Sequence, residues 1–281
     1  MATRSEILRH VELSIEAIYG TEEARIIARI FVSECFNISL SALIADPKQE
    51  LEIRDKELFN SRVERLREGT PIQYVLGYAE FDGMRLNVNP KVLIPRPETE
   101  ELILNISQKH PNPTSILDVG TGSGAIAIAL KRRYADCRVV GIDISKEALK
   151  VATENSLNIG VDVEFRVGDA LNLESSVDEK FDIILSNPPY ISQREESTMR
   201  INVTHHEPHI ALFVPDNNPL LFYRAIARSA KNLLNKSGSL WFEIHELFEQ
   251  EMLEMLQQEG FSKSEVFRDF NNKPRMIWSQ I

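Results

Sequence analysis

Ser115-Ile116-Leu117-Asp118-Val119-Gly120-Thr121-Gly122-Ser123-Gly124-Ala125-Ile126-Ala127-Ile128-Ala129-Leu130 is the stretch from which the fold can be read. An apolar run enters three alternating glycines and leaves into a segment of alanine and isoleucine. The reading is buried strand, tight loop, helix. Glycine lets a backbone turn sharply and approach a ligand, and the first N–H groups of a helix have no partners within it. By itself such a loop could serve a dinucleotide or a phosphate. No Gly-Lys-Ser/Thr follows, which argues against a P-loop. The G-x-G-x-G spacing also fits a Rossmann G-x-G-x-x-G poorly.

Downstream, the pattern repeats with chemistry at each strand end. Arg138-Val139-Val140-Gly141-Ile142-Asp143 ends in an acid about 20 residues past the loop, where a carboxylate can accept from both hydroxyls of a ribose. The plainer role for Asp143 is to cap the helix starting near Lys146. The run Val161 to Val167 ends in Gly168-Asp169-Ala170, with Asp169 placed to accept from the exocyclic amine of a base. Phe181-Asp182-Ile183-Ile184-Leu185-Ser186 then leads into Asn187-Pro188-Pro189-Tyr190. Asn187 brings a side-chain carbonyl, each proline keeps its C=O while lacking an N–H, and Tyr190 adds a flat ring. A planar –NH2 group can donate both hydrogens to such a site. A proline-rich turn after a strand is the plainer reading. Strand and helix patterns alternate to Gly260, which predicts a parallel sheet. Ser264–Phe267 and Arg275–Trp278 add an antiparallel edge. Together, glycine loop, two acids and Asn-Pro-Pro-Tyr describe a nucleoside site beside an amide or amine pocket.

This combination resembles the S-adenosylmethionine-dependent methyltransferases that act on planar nitrogen. More closely, the chain is similar to the HemK-type peptide-chain-release-factor glutamine methyltransferases. The resemblance is carried by Pro71 to Gly77, Val92 to Glu100 with its Ile-Pro-Arg-Pro-Glu-Thr-Glu, Leu117 to Ile128, Ser186 to Ile191, Glu207-Pro208 with Ala211-Leu212, and Phe222-Tyr223-Arg224. It runs from about Pro71 to the C-terminus. It implies an α/β fold: a seven-stranded Rossmann-like class I methyltransferase domain, preceded by a small helical bundle and a linking β-hairpin. It implies S-adenosylmethionine as cofactor, S-adenosylhomocysteine as product, and class-one release factors as partners in the cytoplasm. Cofactor residues carried over are Gly120, Thr121, Gly122, Ser123, Gly124, Asp143, Asp169, Ala170 and Asn187. Asn187, Pro188, Pro189 and Tyr190 would hold the acceptor glutamine, with Asn187, Pro188 and Tyr190 catalytic. The chain departs from the family at Ala170, where some relatives carry a large aromatic, and at Val214–Leu221, His245 and Phe270-Asn271-Asn272.

Upstream, apolar residues recur at helical spacing as Ile7, Leu8, Val11, Ile15 and Ile18, then Ile26, Ile27, Ile30 and Phe31. A further helix begins at Asp55-Lys56 and stops at Gly69-Thr70-Pro71. The expected organisation is a bundle over 1–70 for substrate docking, a linker over 71–95 with a hairpin turning at Asp82-Gly83, and a methyltransferase domain over 96–281. The net charge of −10 disfavours a partner bound through phosphate neutralisation, so direct nucleic-acid binding is not expected. No apolar run is long enough for a membrane helix. Cys35 and Cys137 have no ligand spacing and read as reduced packing residues. His205, His206 and His209 lack the spacing of a helical metal pair, so no metal is expected. Arg96 and Glu98 either line the site or anchor the helix that follows. Other readings are glutamine methylation of a ribosomal protein, amino-group methylation of nucleic acid, and a non-catalytic cofactor-binding adapter of a translation complex.

Overall fold

The computed structural model describes residues 2–281. The chain forms two compact units: one runs to Tyr78 and includes Arg200–His206, and the other joins Ala79–Met199 to Glu207–Ile281.

The first unit is helical. Its helices are α1 (Arg4–Phe36), α2 (Leu40–Ala45), α3 (Lys56–Arg67) and α4 (Ile72–Leu76). Thr3 and Glu6 form a capping box at the start of α1, and the Asp55 carboxylate caps α3 through Leu58 N. Gly20, at φ 72°, interrupts α1. The two apolar sets lie on either side of that break. Ile7, Val11, Ile15, Ile27 and Phe31 are buried as their spacing predicts, but Ile18 and Ile26, read onto the same faces, are 41% and 57% exposed. Phe31 packs on Phe59 with ring centroids 5.3 Å apart. A short helix, α8 (Ile201–Thr204), belongs to this unit, and Arg200 pairs with Glu23.

The second unit is built on a seven-stranded sheet. In chain order its strands are β1 (Ser115–Val119), β2 (Arg138–Asp143), β3 (Glu164–Val167), β4 (Phe181–Ser186), β5 (Leu234–Glu243), β6 (Lys263–Arg268) and β7 (Pro274–Gln280). Their spatial order is β6-β7-β5-β4-β1-β2-β3, with β7 antiparallel to both neighbours and the rest parallel. Strand β3 starts three residues later than the apolar pattern from Val161 suggests. Val161 and Val163 pack instead in the turn leading into it.

Each central strand is apolar on both faces because helices cover both. Ile116, Val139, Ile183, Leu185 and Trp241 face α5 (Pro97–Lys109) and α6 (Ala125–Arg133). Leu117, Val140, Ile184 and Phe242 face α9 (Leu221–Leu233) and α10 (Glu249–Gln258). Helix α7 (Lys146–Ile159) lies beside α6. The hairpin Tyr78–Phe81 and Met84–Asn87 turns through Asp82 and Gly83, both at positive φ. It is no loose tether: Phe81, Met84 and Leu86 are buried in the core with α5 and α6.

Strand order reverses between β1 and β4. At such a switch point the loops leaving two adjacent parallel strands part in opposite directions and open a crevice at the carboxyl edge.

Candidate active site

The crevice is a cleft of about 210 Å³, open to solvent. The ends of four strands supply its walls. Val119 and Gly120 come from β1, Asp143 and Ile144 from β2, Gly168 to Leu171 from β3, and Ser186 to Pro189 from β4; Ile210, Ala211 and Phe222 close the side. The register explains the convergence, since Val119 pairs with both Ile142 and Ser186.

Not every residue of the glycine loop faces the cleft. Gly120, at φ 76°, does, and a side chain there would meet no atom within 4 Å. Its backbone N–H and that of Thr121 both donate to Ile142 O, at 2.8 and 2.9 Å. Thr121 and Ser123 are buried beneath the loop. Thr121 Oγ1 donates to Asp118 Oδ2 at 2.7 Å, and Ser123 O accepts from Asn155 Nδ2 at 2.9 Å. Gly124 is a packing glycine: a Cβ there would lie 3.0 Å from Ile128 Cδ1 and 3.1 Å from Ala152 Cβ. Gly122 reaches the site through its N–H, which donates to Asp143 Oδ2 at 2.9 Å.

Asp143 is not the cap of α7; Ser145 is, through Ala148 N. Asp143 Oδ1 accepts instead from Ser145 N at 2.9 Å, so the carboxylate ties the glycine loop to the end of β2. Burial pushes its pKa up, against the pull of these backbone donors. Asp169 Oδ1 accepts from Leu171 N at 2.8 Å, which shapes the turn that places Ala170 and Leu171 on the wall.

At the fourth strand, Ser186 Oγ donates to Val119 O at 2.7 Å and locks the two strand ends together. Asn187, Pro188 and Pro189 line the cleft, whereas Tyr190 lies behind them. Its ring meets His245 edge-on with centroids 5.7 Å apart. Burial, then the nearby Glu243 charge, raise the Tyr190 phenol well above its ordinary range.

Several further residues hold this site together, and of these the sequence reading did not single out Asp118 and Asn155. Asp118 is fully buried, and burial pushes its carboxyl up to about 7. Its Oδ1 lies toward the Ala127 N–H without closing a hydrogen bond. Asn155 donates to Asn87 O and accepts from Asn87 N at 2.7 Å, joining the hairpin to the glycine loop. Glu243, at the end of β5, accepts from Thr99 Oγ1 at 2.7 Å, and burial pushes its carboxyl up to about 7 as well. Arg96 anchors rather than lines: it donates to Glu207 Oε1 at 2.6 Å, and Ile94 N donates to Glu207 Oε2 at 3.2 Å. Glu207 therefore fixes the segment that carries Ile210 and Ala211 to the cleft. The sequence signals for Glu207 are the Glu-Pro of the resemblance and its place among His205, His206 and His209. Among the described residues no group of three or more His, Cys, Asp or Glu is arranged to hold a metal ion.

Comparison with known proteins agrees with this geometry. Residues 111–276 match the profile of a methyltransferase domain, and residues 6–77 that of the PrmC N-terminal domain. The release factor glutamine methyltransferase of Bacteroides thetaiotaomicron is 36% identical over 273 residues, covering 97% of this chain and 98% of that one. The chain belongs to the release factor glutamine methyltransferase family. The Streptococcus pneumoniae member is 41% identical over 231 residues, covering 82% of this chain and 81% of its own. Among solved structures, the Thermus thermophilus 16S rRNA N2 G1207 methyltransferase, in complex with AdoMet and guanosine, superposes with a TM-score of 0.52 at 14% identity, covering 72% of this chain and 49% of that one. That likeness is one of fold. The seven-stranded α/β methyltransferase architecture and the preceding helical unit are thus as the sequence predicts, and the family is S-adenosylmethionine-dependent. Among the described residues no helix is long and apolar enough to cross a membrane.

Proposed function

We propose that this chain transfers a methyl group from S-adenosylmethionine to the side-chain amide nitrogen of the glutamine in the Gly-Gly-Gln loop of class-one release factors, acting in the cytoplasm. The observation that carries the chemistry is the shared cleft: acceptor-rich Asn187-Pro188 lines the same space as Gly120, Asp143 and Asp169.

The cleft suits an adenosyl ligand. Its walls at Ile144, Leu171, Pro189 and Phe222 offer apolar surface to the faces of a base, and the bare backbone at Gly120 leaves room for close approach. Asp143 keeps lone pairs for ribose hydroxyls, and Asp169 for an exocyclic amine. When bound, S-adenosylmethionine supplies an electrophilic methyl group on a sulfonium.

The chain's own residues handle the nucleophile. A glutamine amide nitrogen is a weak nucleophile because its lone pair is delocalised into the carbonyl. Asn187 Oδ1 and the Pro188 carbonyl accept its two hydrogens. As the nitrogen pyramidalises it gains positive charge, and these acceptors then bind it more strongly than in the ground state. Neither oxygen has to move for this, because the Ser186 bond to Val119 fixes the strand end from which they project. Tyr190 backs the acceptor site through its packing on His245. No strong base is required, since an N-methylated, protonated amide is acidic and releases its proton to solvent.

The test is methyl transfer from labelled S-adenosylmethionine to purified release factor, its Gln→Ala loop variant, ribosomal protein and total RNA in parallel. Label on the release factor that disappears in the Gln→Ala variant is expected. Label on RNA or ribosomal protein instead keeps the methyl-transfer chemistry and overturns the acceptor.

A further inference from the structure

The turn between β6 and β7 presents an aromatic ring to solvent on a rigid support. Asp269 organises it. Its Oδ1 accepts from Asn271 N and Lys273 N, both at 2.9 Å, and its backbone O accepts from Asn272 N at 2.8 Å. Arg275 holds Oδ2 through Nε and Nη2, each at 3.3 Å. So many bonds leave little freedom in five residues, yet Phe270 at the tip is 89% exposed. A mobile loop can fold an apolar ring back onto the surface, but this one holds it out.

Beside the ring, the start of α5 forms a groove with Leu104, itself 46% exposed, Glu98 and Glu101. Asp82 on its rim is paired with Arg133 at 3.2 Å. Among the described residues, neither Glu98 nor Glu101 is in an ion pair. Phe270 N donates to Glu101 Oε1 at 3.5 Å, and burial raises the Glu101 carboxyl against that bond and the Arg275 charge. The groove therefore has apolar surface beside two carboxylates outside any ion pair, which favours an occupant with a cation next to an apolar side chain.

Position argues for which occupant. The turn lies at the carboxyl edge of the sheet, as Asn187 does: Glu243 pairs with Met276, and Phe242 with Ser186. Strand β7 is two strands from β4, and neighbouring strands are about 4.8 Å apart, so the ledge stands roughly 10–15 Å from the acceptor site. An extended chain covers that span in about four residues. A small substrate would never reach it, whereas a protein substrate threading its glutamine into the cleft would.

We propose that Phe270, with Glu98 and Glu101, is a docking surface for a basic, apolar-bearing segment of the protein substrate flanking the methylated glutamine. The proposal rests on the release-factor reading. Steady-state methylation of whole release factor by the full-length enzyme tests it, comparing wild type with Phe270→Ser, Phe270→Leu and the double variant Glu98→Gln/Glu101→Gln. Phe270→Ser should raise KM for the factor at least tenfold, about 1.4 kcal/mol, with kcat and S-adenosylhomocysteine affinity within about twofold. Phe270→Leu should recover most of the loss, and the double variant should raise KM and weaken its salt dependence. Wild-type KM in Phe270→Ser overturns the docking surface. A wild-type dimer, seen by sedimentation, that Phe270→Ser dissociates also overturns it, by giving the ring to a second copy of the chain. No methylation of the factor by wild type fails the underlying reading instead.

Discussion

Gly120, at the site, and Gly141, beneath the glycine loop, should fail in opposite ways when given a methyl group. At Gly120 the backbone sits at φ 76°, so an L-residue there costs about 1–2 kcal/mol from the left-handed conformation alone. There is no steric term to add, because the new Cβ has nothing within 4 Å. That empty space is the cleft itself. Gly120→Ala should therefore fold with a loss of about 1–2 kcal/mol while weakening S-adenosylhomocysteine binding by at least about tenfold. Gly141 is the converse. Its φ is not in the left-handed region, but a Cβ would lie 2.8 Å from Cδ1 and Cε1 of Phe165 and 2.9 Å from Thr121 Oγ1. Phe165 stands on an edge strand and can shift. Thr121 cannot shift freely, because its hydroxyl is held by buried Asp118 at 2.7 Å. Overpacking of this kind costs about 1–3 kcal/mol, so Gly141→Ala should lose roughly 2 kcal/mol of stability. Its ligand affinity should stay within a few-fold of wild type, because the added methyl lies below the loop. Urea unfolding followed by fluorescence, with calorimetric titration of S-adenosylhomocysteine, separates the two effects. Wild-type affinity in Gly120→Ala would refute the reasoning that the bare backbone at that position is ligand space.

Other outcomes follow from the same geometry. Asn187→Ala should cut turnover by about 10²-fold or more while changing cofactor affinity little, as expected for loss of a group that acts in the transition state; unchanged turnover in single-turnover assays removes Asn187 from the chemistry. Glu207→Ala leaves Arg96 and Ile94 N without their acceptor; breaking a fully buried pair costs about 3–5 kcal/mol, and partial exposure of Arg96 reduces this to roughly 2, readable as a lower urea midpoint that Glu207→Gln partly restores. Asp118 and Glu243 both titrate near pH 7 when folded, against ordinary values of 3.8 and 4.5. The folded state therefore holds protons that the unfolded chain releases. Their stabilising effect is full below the unfolded values and is lost as pH rises through about 7. The ligand-free protein should be less stable at pH 8.5 than at pH 5.5 by on the order of 2 kcal/mol for each group, and Asp118→Asn should flatten its share of that slope.

How far the sequence could be read depended on whether a feature was local. The strand–loop–helix at Ser115–Leu130, the antiparallel pair β6 and β7, and the Asp82-Gly83 turn are written in periodicity and glycine placement, and each forms within about one residue of its reading or extends it slightly. Ile18 and Ile26 fit the spacing of their sets yet are exposed, because helical spacing marks a face without fixing how much of it is covered. Gly122 and Gly124 read as one ligand loop with Gly120, yet one works through its N–H to Asp143 and the other packs on Ala152. That division of labour depends on residues about twenty to thirty positions away.

The sequence alone determined the class of fold, the order of its elements and the chemistry available at each strand end, because backbone preference and apolar period are properties of neighbouring residues. Only the tertiary structure decided which of those residues meet. It set β1 beside β4 at the reversal of strand order, and so put Asn187 in one cleft with Gly120 and Asp143. It also buried Asp118 and Glu243 far enough to hold protons near neutral pH, and joined Glu207 to Arg96 across more than a hundred residues. Desolvation and pairing are set by what lies around a group in space, and nothing in its sequence neighbours records that.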